Sequence, residues 1–75
     1  MEAFVMIVTA ASTSTTILPK LHEIEHVRRA NIVAGEFDII AIIEAEESQE
    51  LLRIVSEQIH TLEGVGHTRS AIVLQ

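Results

Sequence analysis

Residues 21–27 read LHEIEHV and residues 59–65 read IHTLEGV. Laid one over the other, Leu21 meets Ile59, His22 meets His60, Ile24 meets Leu62, Glu25 meets Glu63 and Val27 meets Val65. Each copy reads as a helix end turning into a strand. Glycine is the usual left-handed residue just past a helix, so Gly64 marks where the second helix has stopped. His26 aligns with Gly64, which places it beyond the first helix. Two copies of the same junction in 75 residues imply two β-α-β halves related by a pseudo-twofold.

Working outward, Ala3–Thr9 is rich in Val, Ile, Phe and Met and predicts the first strand. The polar ASTSTT that follows suits a loop and a helix start. Ile17, Leu18, Leu21 and Ile24 recur at helical spacing. With Thr16 as N-cap, Pro19 falls at the third helical position, where a missing N–H has no intrahelical partner to lose. Val27–Val33 predicts the second strand, Gly35 and Glu36 the turn, and Phe37–Ala45 the third strand. Leu51, Leu52, Val55, Ile59 and Leu62 define a second helix from near Ser48 to Gly64. His67–Leu74 predicts the last strand.

The order β-α-β-β-α-β predicts a ferredoxin-like α+β fold: a four-stranded antiparallel sheet with both helices on one face. The first and third strands are central in that topology, and they are the two most apolar strands here. Phe4, Met6 and Val8 alternate with Val5 and Ile7; Phe37, Ile39, Ala41 and Ile43 alternate with Ile40 and Ile42. Both sheet faces are therefore apolar, and the face without helices is expected to pack on a second copy of the chain.

Composition narrows the function. The chain is long enough for one domain, expected over residues 1–75. It contains no cysteine, which excludes disulfides and is compatible with the cytoplasm. A formal net charge of −6 gives no electrostatic footprint for nucleic acid. Phe4 and Phe37 are the only aromatic residues, too few for a base-stacking surface or an aromatic ligand box. The apolar AFVMIVTAA follows Glu2 instead of a basic segment, so it reads as a buried strand and not a signal peptide. No apolar run reaches the length of a membrane span.

Two motifs bear on chemistry. HEIEH (22–26) satisfies H-E-x-x-H, in which histidines one helical turn apart hold zinc and the glutamate is general base. With His26 past the helix, the two rings do not share a helical face, and the expectation is two solvated histidines and no metal or other cofactor. His60 and His67 read as surface residues. The second motif is VAGEFDIIAII (33–43). Asp38 opens an apolar strand and must be solvated, hydrogen-bonded or paired with a cation. It either fixes the hairpin through backbone N–H groups or meets a ligand ammonium at an oligomer seam.

The stretch VAGEFDIIAIIEAEESQELLRIVSEQIHTLEGVGHTRSAIVL resembles the effector-binding (RAM) domain of the Lrp/AsnC transcription regulators. The matching signals are Gly35-Glu36-Phe37-Asp38 as G-x-x-D, LEGV at 62–65, and Thr68-Arg69-Ser70 as T-x-S/T leading into a final IVL. The opening strand and LHEIEHV fit the first half more loosely. The resemblance implies a dimer that assembles into rings of dimers, with an amino-acid effector bound between dimers. Carried over residue by residue, the effector site would involve Gly35, Glu36, Asp38, Thr68 and Ser70. Gly35 would let backbone approach the ligand, Asp38 would meet its ammonium, and Thr68 and Ser70 would offer hydroxyls to its carboxylate. Ordinary edge-strand polarity accounts for those two hydroxyls equally well. Family regulators carry an N-terminal helix-turn-helix domain, and no such segment precedes the first strand. The expectation is a stand-alone effector domain that does not read DNA itself and co-assembles with full-length regulators. A small ferredoxin-like dimeric enzyme and a purely structural assembly module are the alternatives.

Overall fold

A computed structural model describes residues 1–75. Its elements follow the order β1 (Glu2–Thr9), α1 (Ser14–His22), β2 (Val27–Ile32), β3 (Ile39–Glu44), α2 (Ser48–Ile54) and β4 (Val65–Ile72). A π-helical turn, Val55–Ile59, continues α2. The strands form one antiparallel sheet in the order β2-β3-β1-β4. The two most apolar strands are thus the central pair, as expected, because only they lack a polar edge to hydrate.

The pleat sorts side chains between two faces. Ala3, Val5 and Ile7 of β1 and Ile39, Ala41 and Ile43 of β3 are buried with Ile17 and Leu21 of α1, Leu51 and Ile54 of α2, and Ile59. Phe4, Met6, Val8, Ile40 and Ile42 take the opposite parity and are only partly covered, Phe4 being 41% exposed. No helix is long and apolar enough to cross a membrane.

Several boundaries differ from expectation. α1 begins two residues before Thr16, so Pro19 is its sixth residue and lies inside the helix. The missing N–H leaves the Thr15 carbonyl without its i+4 donor; both residues are exposed, so water can serve it. Regular α-helix in the second half ends at Ile54, and His60 N–H donates to the Val55 carbonyl at 2.8 Å across the π turn. The second strand ends at Ile32, one residue early. Phe37 lies ahead of β3, because the loop closes through Val33 N–H to the Asp38 carbonyl at 2.9 Å. β4 starts at Val65 and ends at Ile72, two residues earlier at each end than expected.

Gly64 is left-handed, at φ +100°, as the sequence predicts. It is also a contact point. A Cβ there would stand 3.0 Å from Ile17 Cδ1 and 3.1 Å from Thr13 Oγ1, so the second half closes directly on the start of α1.

Candidate functional site

Asp38 stands at the junction of three strands. Its N–H donates to the Ile7 carbonyl at 2.9 Å, its own carbonyl accepts from Val33, and its carboxylate Oδ2 accepts the Thr9 N–H at 2.8 Å. The carboxylate therefore caps the end of β1, where the ladder with β3 has run out. Oδ1 takes no partner from the chain, which leaves one acceptor for a cation. Gly35 and Glu36 are exposed in the loop just before it. Gly35 has φ +150° and open space around it, so a second backbone or a ligand can come close.

Thr68 and Ser70 reach the site from the other side of β1. Thr68 pairs with Ile7 and Ser70 with Val5. Paired residues share a sheet face, so the two hydroxyls project on one side, as the spacing predicts. Ser70 makes no hydrogen bond. Thr68 Oγ1 lies 2.9 Å from His60 Nε2, a partner that the sequence reading missed by leaving His60 as a surface residue. Its only signal was position: His60 repeats His22, and each closes its helix facing a neighbouring strand.

Asp38 and Thr68 come to the same end of the sheet but flank β1. Two strand spacings separate them laterally, about 10 Å. An α-amino acid carries its ammonium and carboxylate on one carbon, so a single copy of the chain does not bring these two groups to one such molecule.

Neither of the two hollows in the surface contains any of the five residues. One, of about 370 Å³, lies on the open sheet face among Phe4, Arg29, Asn31, Val33, Ile40 and Ile42. The other, of about 430 Å³, is polar and lies at the far end of the sheet among Glu25, His26, Arg28, Glu44, Ala45, Glu46 and Glu50.

The HEIEH residues settle into separate places. α1 ends at His22, and His26 follows in the turn. His22 Nε2 lies 3.2 Å from the Ala30 carbonyl oxygen, His26 Nδ1 lies 3.1 Å from that of Glu44, and His26 Nε2 faces Glu50 at 3.4 Å. The expectation that both histidines are merely solvated is corrected: each ties its turn to a strand. The reason lies in the sheet, which curls β2 and the end of β3 under the α1–β2 turn.

A family model described as the Lrp/AsnC ligand binding domain matches residues 2–75. An HTH-type transcriptional regulator of Pyrococcus furiosus is 34% identical over 56 residues, 75% of this chain and 37% of its own length. A homocitrate synthase of Sulfolobus acidocaldarius is 32% identical over 62 residues, 83% of this chain and 13% of its own. The chain thus spans well under half of either relative. The crystal structure of a hypothetical protein from Pyrococcus horikoshii superposes with a TM-score of 0.89 at 28% identity, covering 99% of this chain and 90% of that one. A transcriptional regulator of Neisseria meningitidis in complex with L-Met superposes with a TM-score of 0.88. That match covers 99% of this chain and 49% of the regulator, and at 17% identity it speaks for the fold alone.

Proposed function

The chain belongs to the Lrp/AsnC ligand-binding domain family, and on that premise we propose that it is a non-enzymatic amino-acid-binding and assembly domain of the cytoplasm. The observation that carries this reading is the family match across residues 2–75. The geometry supports it in two ways. The open face of Phe4, Met6, Val8, Ile40 and Ile42 suits a second copy, and burying such side chains contributes ~1.5–3 kcal/mol each. The opposed placement of Asp38 and Thr68 suits a site completed between copies. There, Asp38 Oδ1 of one copy would take the effector's ammonium, and Thr68 and Ser70 of another its carboxylate, beside Gly35 and Glu36. Rings of dimers and mixed assemblies with full-length regulators are the corresponding partners. The Neisseria regulator's L-Met is one effector of the same chemical class. The homocitrate synthase shares only a small part of its length with this chain, and its chemistry is not carried over.

A second reading follows from the bonds already made. Thr68 is engaged by His60 and one Asp38 oxygen by Thr9, as suits a purely structural module. Titration calorimetry with each common L-amino acid separates the two. The effector reading expects saturable heat with at least one of them; silence with all of them selects the structural module.

A further inference from the structure

His26 presents both ring nitrogens to acceptors. Nδ1 lies 3.1 Å from the Glu44 carbonyl oxygen at the end of β3, and Nε2 lies 3.4 Å from Glu50 Oε1 in the first turn of α2. A carbonyl oxygen only accepts, and so does an ionised carboxylate. A neutral imidazole carries one N–H and can serve one of them; the imidazolium serves both.

The contact falls where α2 is least secured. Its N-cap position, Glu47, makes no side-chain cap hydrogen bond. The groups around the ring are Glu25 in the same turn, Arg28 on β2, Glu44 on β3, Glu46 before α2 and Glu50 on α2. Arg28 is paired with Glu44, so the remaining carboxylates leave an excess of negative charge that favours a positive ring.

We infer that His26 is a proton-dependent clasp, fastening the start of α2 to the α1–β2 turn and to the end of β3. Doubly protonated, it holds Glu44 and Glu50 together; neutral, it gives up one of them. The sign follows directly. The clasp contributes stability on the acid side and loses it as pH rises and the ring deprotonates, a change that histidines undergo between about pH 5 and 8. The inference uses contacts remote from Asp38 and Thr68 and is independent of the effector reading.

A double-mutant cycle tests it: the parent, His26→Ala, Glu50→Gln and the combination, unfolded in urea at one fixed protein concentration. Glutamine keeps the shape and an acceptor but removes the charge. The side chains are 34% and 36% exposed, so the expected coupling is modest, about threefold in the folding equilibrium constant at about pH 6. It should vanish at about pH 8.5. If His26→Ala does not fold, His26→Gln takes its place as a side chain that donates but cannot titrate. Coupling of the same size at both pH values, or none at the lower one, overturns the clasp.

Discussion

At the scale of single residues, Asp38 and Gly64 carry the sharpest expectations. Asp38 Oδ2 is held by a backbone N–H and Oδ1 has no partner from the chain. If the free oxygen meets an ammonium, Asp38→Ala should weaken amino-acid binding at least about tenfold, since a charge-assisted bond contributes ~1.5–3 kcal/mol. Asp38→Asn is the informative companion. It keeps an acceptor for Thr9 while removing the charge, so it should stay as stable as the parent within about 1 kcal/mol and still lose affinity. Calorimetry on preparations checked by circular dichroism reads both. Undiminished binding in folded Asp38→Ala would make the residue a strand cap and nothing more. Gly64→Ala should be costly for two separate reasons, a positive φ and a Cβ only 3.0 Å from Ile17 Cδ1. A loss of ~1–3 kcal/mol in urea unfolding is expected; a neutral result would mean that α1 can shift to admit the methyl group.

At the scale of elements, α1 shows a local rule overridden. Proline in a helix interior costs about 3 kcal/mol relative to alanine, and Pro19 sits at the sixth position of a nine-residue helix. Burial of Ile17 and Leu21 against the sheet holds the helix anyway. Pro19→Ala restores the N–H that reaches the Thr15 carbonyl, but it also frees the unfolded chain. The net expectation is a gain of about 1–2 kcal/mol, visible as a higher thermal midpoint; a lower midpoint would show that proline shapes the start of the helix productively. α2 shows the opposite case. It is short and uncapped, and it passes into a π turn. Its anchors are Leu51, Ile54 and Ile59 in the core and the Glu50 contact to His26 at its start.

At the scale of the whole molecule, the open sheet face dominates. Its five apolar side chains line the middle of the sheet, and Arg29 on β2 and Arg69 on β4 bound them, by their pairing with Ile42 and Met6. Light scattering should find a dimer as the smallest stable species, with larger multiples populated. Ile42→Glu puts a charge opposite Phe4 at the centre of that face, where pairing with a second copy would desolvate it. The folded variant should shift toward monomer by at least about tenfold in dissociation constant. A folded, stable parent monomer at micromolar concentration would remove the assembly reading, whatever calorimetry shows about amino acids.

The alternation of Val5 and Ile7 with Phe4, Met6 and Val8, together with the repeat of LHEIEHV in IHTLEGV, was sufficient to determine the β-α-β-β-α-β order, the central strands and the two faces. Those are consequences of local periodicity, which each segment carries by itself. The left-handed Gly64 was legible for the same reason, because only its own backbone and its neighbours decide it. Tertiary structure alone decided the partners. Thr9 and Asp38 are 29 residues apart, and His26 and Glu44 are 18 apart; no local pattern encodes such meetings. They exist because hydrophobic packing sets β1 beside β3 and lays the α1–β2 turn over the end of the sheet. The same packing sets Asp38 and Thr68 on opposite sides of β1, since a strand paired on both edges keeps its two neighbours a full strand apart.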